Sequence, residues 1–384
     1  MMSASVFLAR NWRLIGKNEI KAGLTRYTGM RIFVTHICPK HKIIEYGFSL
    51  SMSYFNHNLI DGGGFDKVYS IYPGNKNGHF DCLDDGSFEA VYSSWRLKRR
   101  WMCKLARFKE QFRVFRKIPK NAKVWYYNLS TLNILLILLL RLFKPSVQQN
   151  IIILDYTPDV RFNKMVLPLI NRMHGRISLS NYTKFEQRNL VCMPGVVPVV
   201  NNPHARVTEI KKEFLLSGAL KENITMLGMV LDAFAEMPEC TLHVSGILID
   251  HKDKMMEYAA KYPNIIFHGK LPYDEFQALL ENTPFSLNTR KPSASENLCN
   301  FPSKVIEALL NNRIILSTIE YKQLEGMRYL KIGAQKESLK SDIRNILSMP
   351  ECELLEYANQ QQIAFDMFNA IRWNETMTRI ELQK

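Results

Sequence analysis

From position 31 onward the chain alternates short apolar runs with longer stretches of helical periodicity. The run 31–36, Arg-Ile-Phe-Val-Thr-His, is too short for a helix and its composition predicts a strand. A helix-like stretch at 45–59 follows and ends in Asp61-Gly62-Gly63-Gly64. Further strands are predicted at 67–72, 123–127, 150–155 and 175–180, separated by a basic helix within 94–120, a Leu-rich helix at 132–140 and a helix near 162–173. Apolar strands alternating with helices indicate a parallel sheet covered on both faces.

The glycine triplet invites a phosphate-loop reading, but a phosphate loop follows a strand and opens a helix, so that free helical N–H groups meet the anion. Here the glycines follow a helix and precede a strand, which predicts a helix C-cap and turn.

Residues 193–203 hold three prolines, a glycine and two asparagines, the composition of a turn-rich linker. The alternation then restarts, with strands at 213–217, 240–245, 264–268, 284–288 and 313–317 and helices at 225–236, 253–261, 273–280 and 303–310. Beyond Tyr357 the composition is again helical, with Phe365, Phe368 and Trp373. We therefore expect an extension over 1–29, one doubly wound domain over 30–200, a second over 201–360, and a terminal helical segment over 361–384. Two domains also suit the length of 384 residues, since a domain usually takes roughly 100 to 200. In open sheets of this kind ligands bind beyond the carboxyl ends of the strands.

Seven cysteines without a CxxC pair argue against a disulfide framework and against a structural zinc site, and fit a reducing compartment. The apolar stretch at the N-terminus precedes its charges, the wrong order for a secretory signal, so a cytoplasmic location is expected. The longest apolar run, 132–140, is far short of the roughly 20 residues of a membrane span and is expected to be a buried helix, with a membrane-dipping helix as the alternative.

Net charge is +15, and most of the excess is local: 94–120 carries eleven basic residues against Glu110 alone. Within it Trp101, Leu105, Phe108, Phe112 and Phe115 recur at spacings of four and three, on one helical face. Such a helix can lie on an anionic membrane surface, or it can pack its aromatic stripe into the N-terminal domain. A nucleic-acid reading of the charge finds no accompanying binding motif, so no nucleic-acid partner is expected.

The segment 286–310 carries the clearest chemistry. A strand ends, a polar loop follows, and a helix begins near Ser303, where unpaired N–H groups and a positive dipole end suit a diphosphate. Lys304 adds a full charge in that first turn; Arg290 and Lys291 in the loop supply more, or are ordinary surface bases. Glu307, one turn further on, can accept hydrogen bonds from ribose hydroxyls or stand as an exposed helix glutamate.

Phe301-Pro-Ser-Lys-Val-Ile-Glu-Ala-Leu-Leu310, followed by Arg313-Ile-Ile-Leu-Ser-Thr318, resembles the PSK-x-x-E helix and next strand of GT-B glycosyltransferases, particularly those like family 4. The resemblance extends to Phe214-Leu-Leu-Ser-Gly-Ala-Leu220 and Asn264-Ile-Ile-Phe-His-Gly269. It implies an α/β fold of two Rossmann-like doubly wound domains facing a central cleft, with the last helix crossing back to the first domain. It also implies that Glu307 binds the donor ribose, and that Ser303, Lys304 and the preceding loop hold the donor phosphates.

Two positions depart from the family pattern. Counting back from Glu307, Cys299 stands where many relatives carry a second glutamate, and Ala219, directly after Gly218, stands where many carry an arginine. Lys221 can compensate for that arginine, so Gly218 and Lys221 are counted with the donor-binding residues. On the acceptor side His36, Asp155 and Asp159 lie at or just beyond strand ends, where each could serve as general base in an inverting reaction, orient substrate in a retaining one, or cap a loop. No Asp-x-Asp occurs, so metal-independent transfer is expected, with no cofactor besides the nucleotide-sugar substrate. The expected activity is sugar transfer, of hexosyltransferase type, onto a glycan or lipid-linked acceptor in cell-surface polysaccharide synthesis at the inner membrane face. A sugar-nucleotide epimerase of the same architecture is the alternative enzyme, and a basic nucleic-acid-binding protein the non-enzymatic one.

Overall fold

Two parallel β-sheets organise the computed structural model, which describes residues 29–72, 86–91, 100–154, 156–180, 182–199 and 203–383, with only the backbone of 100–104. The first sheet is built from β1 (Arg31–Thr35), β2 (Lys67–Ile71), β3 (Glu89–Val91), β4 (Lys123–Tyr127), β5 (Gln148–Ile153), β6 (Gly175–Ser178) and β7 (Leu190–Cys192). Its helices are α1 (Leu50–Gly62), α2 (Arg100–Lys117), α3 (Ile134–Phe143) and α4 (Arg161–Asn171). Strand order is β3-β2-β1-β4-β5-β6-β7. All five residues of β1 are buried, as a central parallel strand covered on both faces requires.

The second sheet comprises β8 (Glu213–Leu220), β9 (Thr241–Leu248), β10 (Ile265–Gly269), β11 (Phe285–Asn288), β12 (Ile314–Ser317) and β13 (Leu330–Lys331). Between and after them run α5 (Glu222–Thr225), α6 (Leu227–Ala235), α7 (Lys252–Lys261), α8 (Tyr273–Asn282), α9 (Ser303–Leu310), α10 (Lys336–Leu347), α11 (Glu351–Tyr357), α12 (Gln361–Phe368) and α13 (Ala370–Leu382). The order β10-β9-β8-β11-β12-β13 reverses direction between β8 and β11, the topological switch point where doubly wound sheets bind ligands. Phe214 of β8 pairs in register with Phe285 of β11, their rings stack at 4.8 Å, and Phe234 of α6 packs edge-on at 5.2 Å. This aromatic centre holds the two switch-point strands together from below the site.

The chain divides into two compact units: one holds the residues up to 36 with 65–126 and 130–150, the other 37–64, 127–129 and 151–384. In the second unit α13 packs along α1, and Trp373, fully buried, donates its indole N–H to the Gly195 carbonyl at 2.8 Å. Its ring meets Phe55 of α1 edge-on at 5.3 Å.

Several sequence expectations shift. The first helix starts at Leu50 rather than 45, because Gly47 turns the chain at φ +69° and Ser49 accepts the Met52 N–H as N-cap. The glycine triplet is a helix end: Gly63 N–H reaches Leu59 O at 2.6 Å and Gly64 adopts φ +64°. The expected helix 225–236 is broken at Met226, whose φ of 46° is left-handed, into α5 and α6. The strands β3, β7 and β13 were not foreseen, being two or three residues long.

Burial along α2 bears on the two readings left open for its aromatic stripe. Its buried positions are Ala106, Glu110, Gln111 and Val114, whereas Leu105, Phe108 and Phe112 of the aromatic stripe are exposed and Phe115 is half-buried. The stripe therefore does not pack into the domain; the side chain of Trp101 lies outside the described residues. Gln111 goes inward because it caps a neighbour. Gln111 Oε1 accepts the Leu136 N–H at 3.1 Å near the start of α3, and Lys144, just past α3, donates to Phe115 O and Ile118 O at 2.6 Å each. The Leu-rich helix is likewise buried only in part: Leu136, Ile137 and Leu140 face inward, but Leu138, Leu142 and Phe143 are exposed.

Candidate functional site

Three elements converge at the β8/β11 switch point: the end of β8, the loop after β11, and the opening turn of α9. Gly218 of β8 pairs with Gly246 of β9, and both have positive φ, +119° and +149°. A Cβ on Gly246 would sit 1.9 Å from Gly218 O, so only glycine lets the two strands run side by side here. A Cβ on Gly218 would instead meet only the Lys304 stem, at 3.9 Å. The bare backbone of β8 thus lies open beneath the Lys304 side chain.

Helix α9 starts at Ser303 behind Pro302, which offers no side-chain cap. The N–H groups of Ser303 and Lys304 belong to the first turn and have no intrahelical acceptor. Ser303 is exposed and Glu307 half-buried. The Lys304 ammonium lies 2.6 Å from Glu307 Oε2 and 4.3 Å from the centre of the Phe276 ring on α8. An ion pair with this much solvent exposure contributes at most about 1 kcal/mol, so a phosphate and a ribose can replace the two partners at small cost. Tyr273, also on α8, has its hydroxyl pKa raised by burial and then by the nearby Glu307 charge.

Arg290 is buried and its guanidinium donates to Asn297 Oδ1 at 3.2 Å, while Asn297 Nδ2 donates to Lys291 O at 2.8 Å. Asn297 therefore folds the loop back on itself and holds Arg290 in place. Lys291 is exposed. Lys221 is half-buried just beyond β8 at the N-cap of α5 and has no ion pair among the described residues. Structure thus brings together Gly218, Lys304 and Glu307 directly, with Arg290 and Lys291 on the adjoining loop. Phe276, Tyr273 and Asn297 were missed by sequence reading. The aromatic pair sits on a helix whose apolar spacing looks like ordinary core, and Asn297 lies in a loop without periodicity.

Cys299 is 1% exposed, and burial pushes its thiol up to about 12. It packs near Tyr156 and Tyr182, whose hydroxyl pKa values it helps raise. The place where the resembled family carries a glutamate is therefore occupied by a neutral, buried group.

Of the acceptor-side residues, His36 directly follows β1, one of the two strands flanking the switch point of the first sheet. Burial lowers its pKa to about 4, so the imidazole is neutral at physiological pH. Asp159 is exposed in the turn before α4, near enough to Tyr182 to raise the phenol pKa. Asp155 lies outside the described residues. A cavity of about 430 Å³, lined by Met193, Gly195, Gln323, Phe368, Arg372 and Arg379 among others, contains none of the expected site residues.

No protein-family model matches the sequence, and no curated protein matches it. Solved structures do share its architecture. Sucrose-phosphate synthase from Thermosynechococcus elongatus is similar at 12% identity, with a TM-score of 0.65 over 91% of this chain and 98% of that one. The Anabaena protein HepE in complex with UDP is similar at 14% identity and a TM-score of 0.63, and its complex with UDP-glucose at 12% and 0.61, each covering 91% of this chain and 98% of that one. The chain, two parallel sheets with covering helices, has the GT-B glycosyltransferase fold.

Proposed function

We propose that this protein is a glycosyltransferase of hexosyltransferase type. It moves a sugar from a nucleotide-sugar donor to a glycan or lipid-linked acceptor in cell-surface polysaccharide synthesis, as a cytoplasmic protein peripheral to the inner membrane face. One observation carries the reading: open glycine backbone, a cation, a carboxylate and an uncapped helix start meet at the β8/β11 switch point. The UDP and UDP-glucose held by HepE on the same fold support a nucleoside diphosphate as the ligand class.

In this reading the first-turn N–H groups of α9 and Lys304 receive the diphosphate, with Arg290 reinforcing the anion site from the loop and Lys291 and Lys221 at its edge. Glu307, released from Lys304, accepts the ribose hydroxyls. As the glycosidic bond to the sugar breaks, negative charge grows on the leaving diphosphate, and these preorganised donors stabilise it without a metal bridge. His36, Asp155 and Asp159 orient the acceptor, and a neutral His36 can exchange a hydrogen bond with its hydroxyl. With Cys299 buried and neutral, the donor sugar meets no carboxylate at that position.

Thermal unfolding in the presence of a panel of nucleotide sugars tests the proposal. A true donor at a hundredfold excess over Kd adds about 2.7 kcal/mol of apparent stability. A panel that leaves the midpoint unmoved, with no sugar transfer to any glycan acceptor, would falsify the reading.

A further inference from the structure

The outer faces of α2 and α3 are apolar in a way that folding does not explain. Leu105, Phe108 and Phe112 on α2 and Leu138, Leu142 and Phe143 on α3 are between 48% and 72% exposed. Phe115 links the two sets, stacking on Phe112 at 5.8 Å and meeting Phe143 at 6.2 Å. A contiguous exposed apolar patch marks an interaction surface, and reciprocal capping by Gln111 and Lys144 holds the opposite faces together.

Charge decides what this surface fits. Lys109, Arg113 and Arg116 are exposed and follow the same spacing of four and three as the stripe, so they form a parallel row beside it. The single acid of α2, Glu110, is 1% exposed, so every exposed charged side chain described on this helix is a cation. Among the described residues no helix is long and apolar enough to cross a membrane.

We infer that the α2–α3 face docks on an anionic lipid membrane, its Phe and Leu side chains entering the acyl boundary and its basic row meeting the headgroups. Aromatic and basic residues side by side on a helix that lies in the interface plane are the physical signature of such binding. A second copy of the chain fits poorly, because two such faces would bring like charges together. The inference gives the peripheral placement proposed above a specific surface, and it depends on neither donor nor acceptor chemistry.

Vesicle flotation of the full-length protein tests it, using phosphatidylcholine alone and phosphatidylcholine mixed with phosphatidylglycerol. Wild type is expected to float with the anionic vesicles only. The triple variant Lys109→Ser/Arg113→Ser/Arg116→Ser is expected to bind them about a hundredfold more weakly. Phe108→Ser/Phe112→Ser is expected to bind at least about tenfold more weakly and to be released by salt that only weakens wild type. Both variants should keep the wild-type melting temperature and nucleotide response, and Leu142→Ser/Phe143→Ser replaces either that does not fold. Absence of wild-type binding, variants that float like wild type, a dimer dissolved by the same substitutions, or a gel shift on RNA that they abolish would each overturn the inference.

Discussion

Lys304 and Glu307 are joined by a 2.6 Å ion pair across one turn of α9, with the Lys304 stem lying over Gly218. The pair keeps the carboxylate and the ammonium of the site occupied with each other and poised at the helix start. Each can be exchanged for a stronger ligand contact, since the pair itself contributes little in a half-exposed setting.

Glu307→Ala and Lys304→Ala are therefore expected to leave the melting temperature within a few degrees of wild type while weakening UDP. The affinity should fall roughly tenfold or more for each, the scale of one charge-assisted hydrogen bond. Titration calorimetry measures it, and a Glu307→Ala protein that binds UDP normally removes the basis of the proposed function.

Arg290→Ala should weaken UDP by about tenfold but leave uridine binding unchanged, because in the proposed site the guanidinium meets the diphosphate rather than base or ribose. The exposed Lys291 should matter less when truncated. Equal losses for UDP and uridine would mean that Arg290 only holds the loop through Asn297.

The two paired glycines should respond differently. Gly218→Ala has room for its methyl and carries only the strain of a positive φ, about 1–3 kcal/mol. Gly246→Ala adds a Cβ 1.9 Å from Gly218 O and should cost at least about 3 kcal/mol, or fail to fold. Urea unfolding separates them; an equal loss would contradict the close strand approach.

For His36 the folded pKa of about 4 lies below the usual 6.5. Between these values the unfolded chain binds a proton that the folded chain refuses, so this stability is complete above about pH 6.5 and declines as pH falls toward about 4. Urea midpoints of wild type should drop over that window, and His36→Asn should flatten the drop. The kcat/KM profile should show no inflection from His36 near its ordinary pKa; an NMR titration of its ring centred near 6.5 would refute the lowered pKa.

Strand and helix alternation could be read because an apolar run such as 31–36 and a periodic stretch such as 303–310 carry their structure in local spacing. The same local spacing placed Ser303, Lys304 and Glu307 at the opening of α9, where the anion site is proposed. Elements of two or three residues, such as β3 and β13, contain too few positions to show any period. The turn at Met226 interrupts a stretch whose composition is helical throughout.

Local spacing thus determined the fold class, the doubly wound order of elements, and which residues of α9 could meet a diphosphate. Tertiary structure alone decided that Phe276 lies beneath Lys304, that Asn297 holds Arg290, and that the aromatic stripe of α2 faces outward. The reason is physical. An amphipathic pattern fixes that two helical faces differ, but which face turns inward depends on partners distant in sequence, here Gln111 capping α3 and Lys144 capping α2, and no local spacing encodes those.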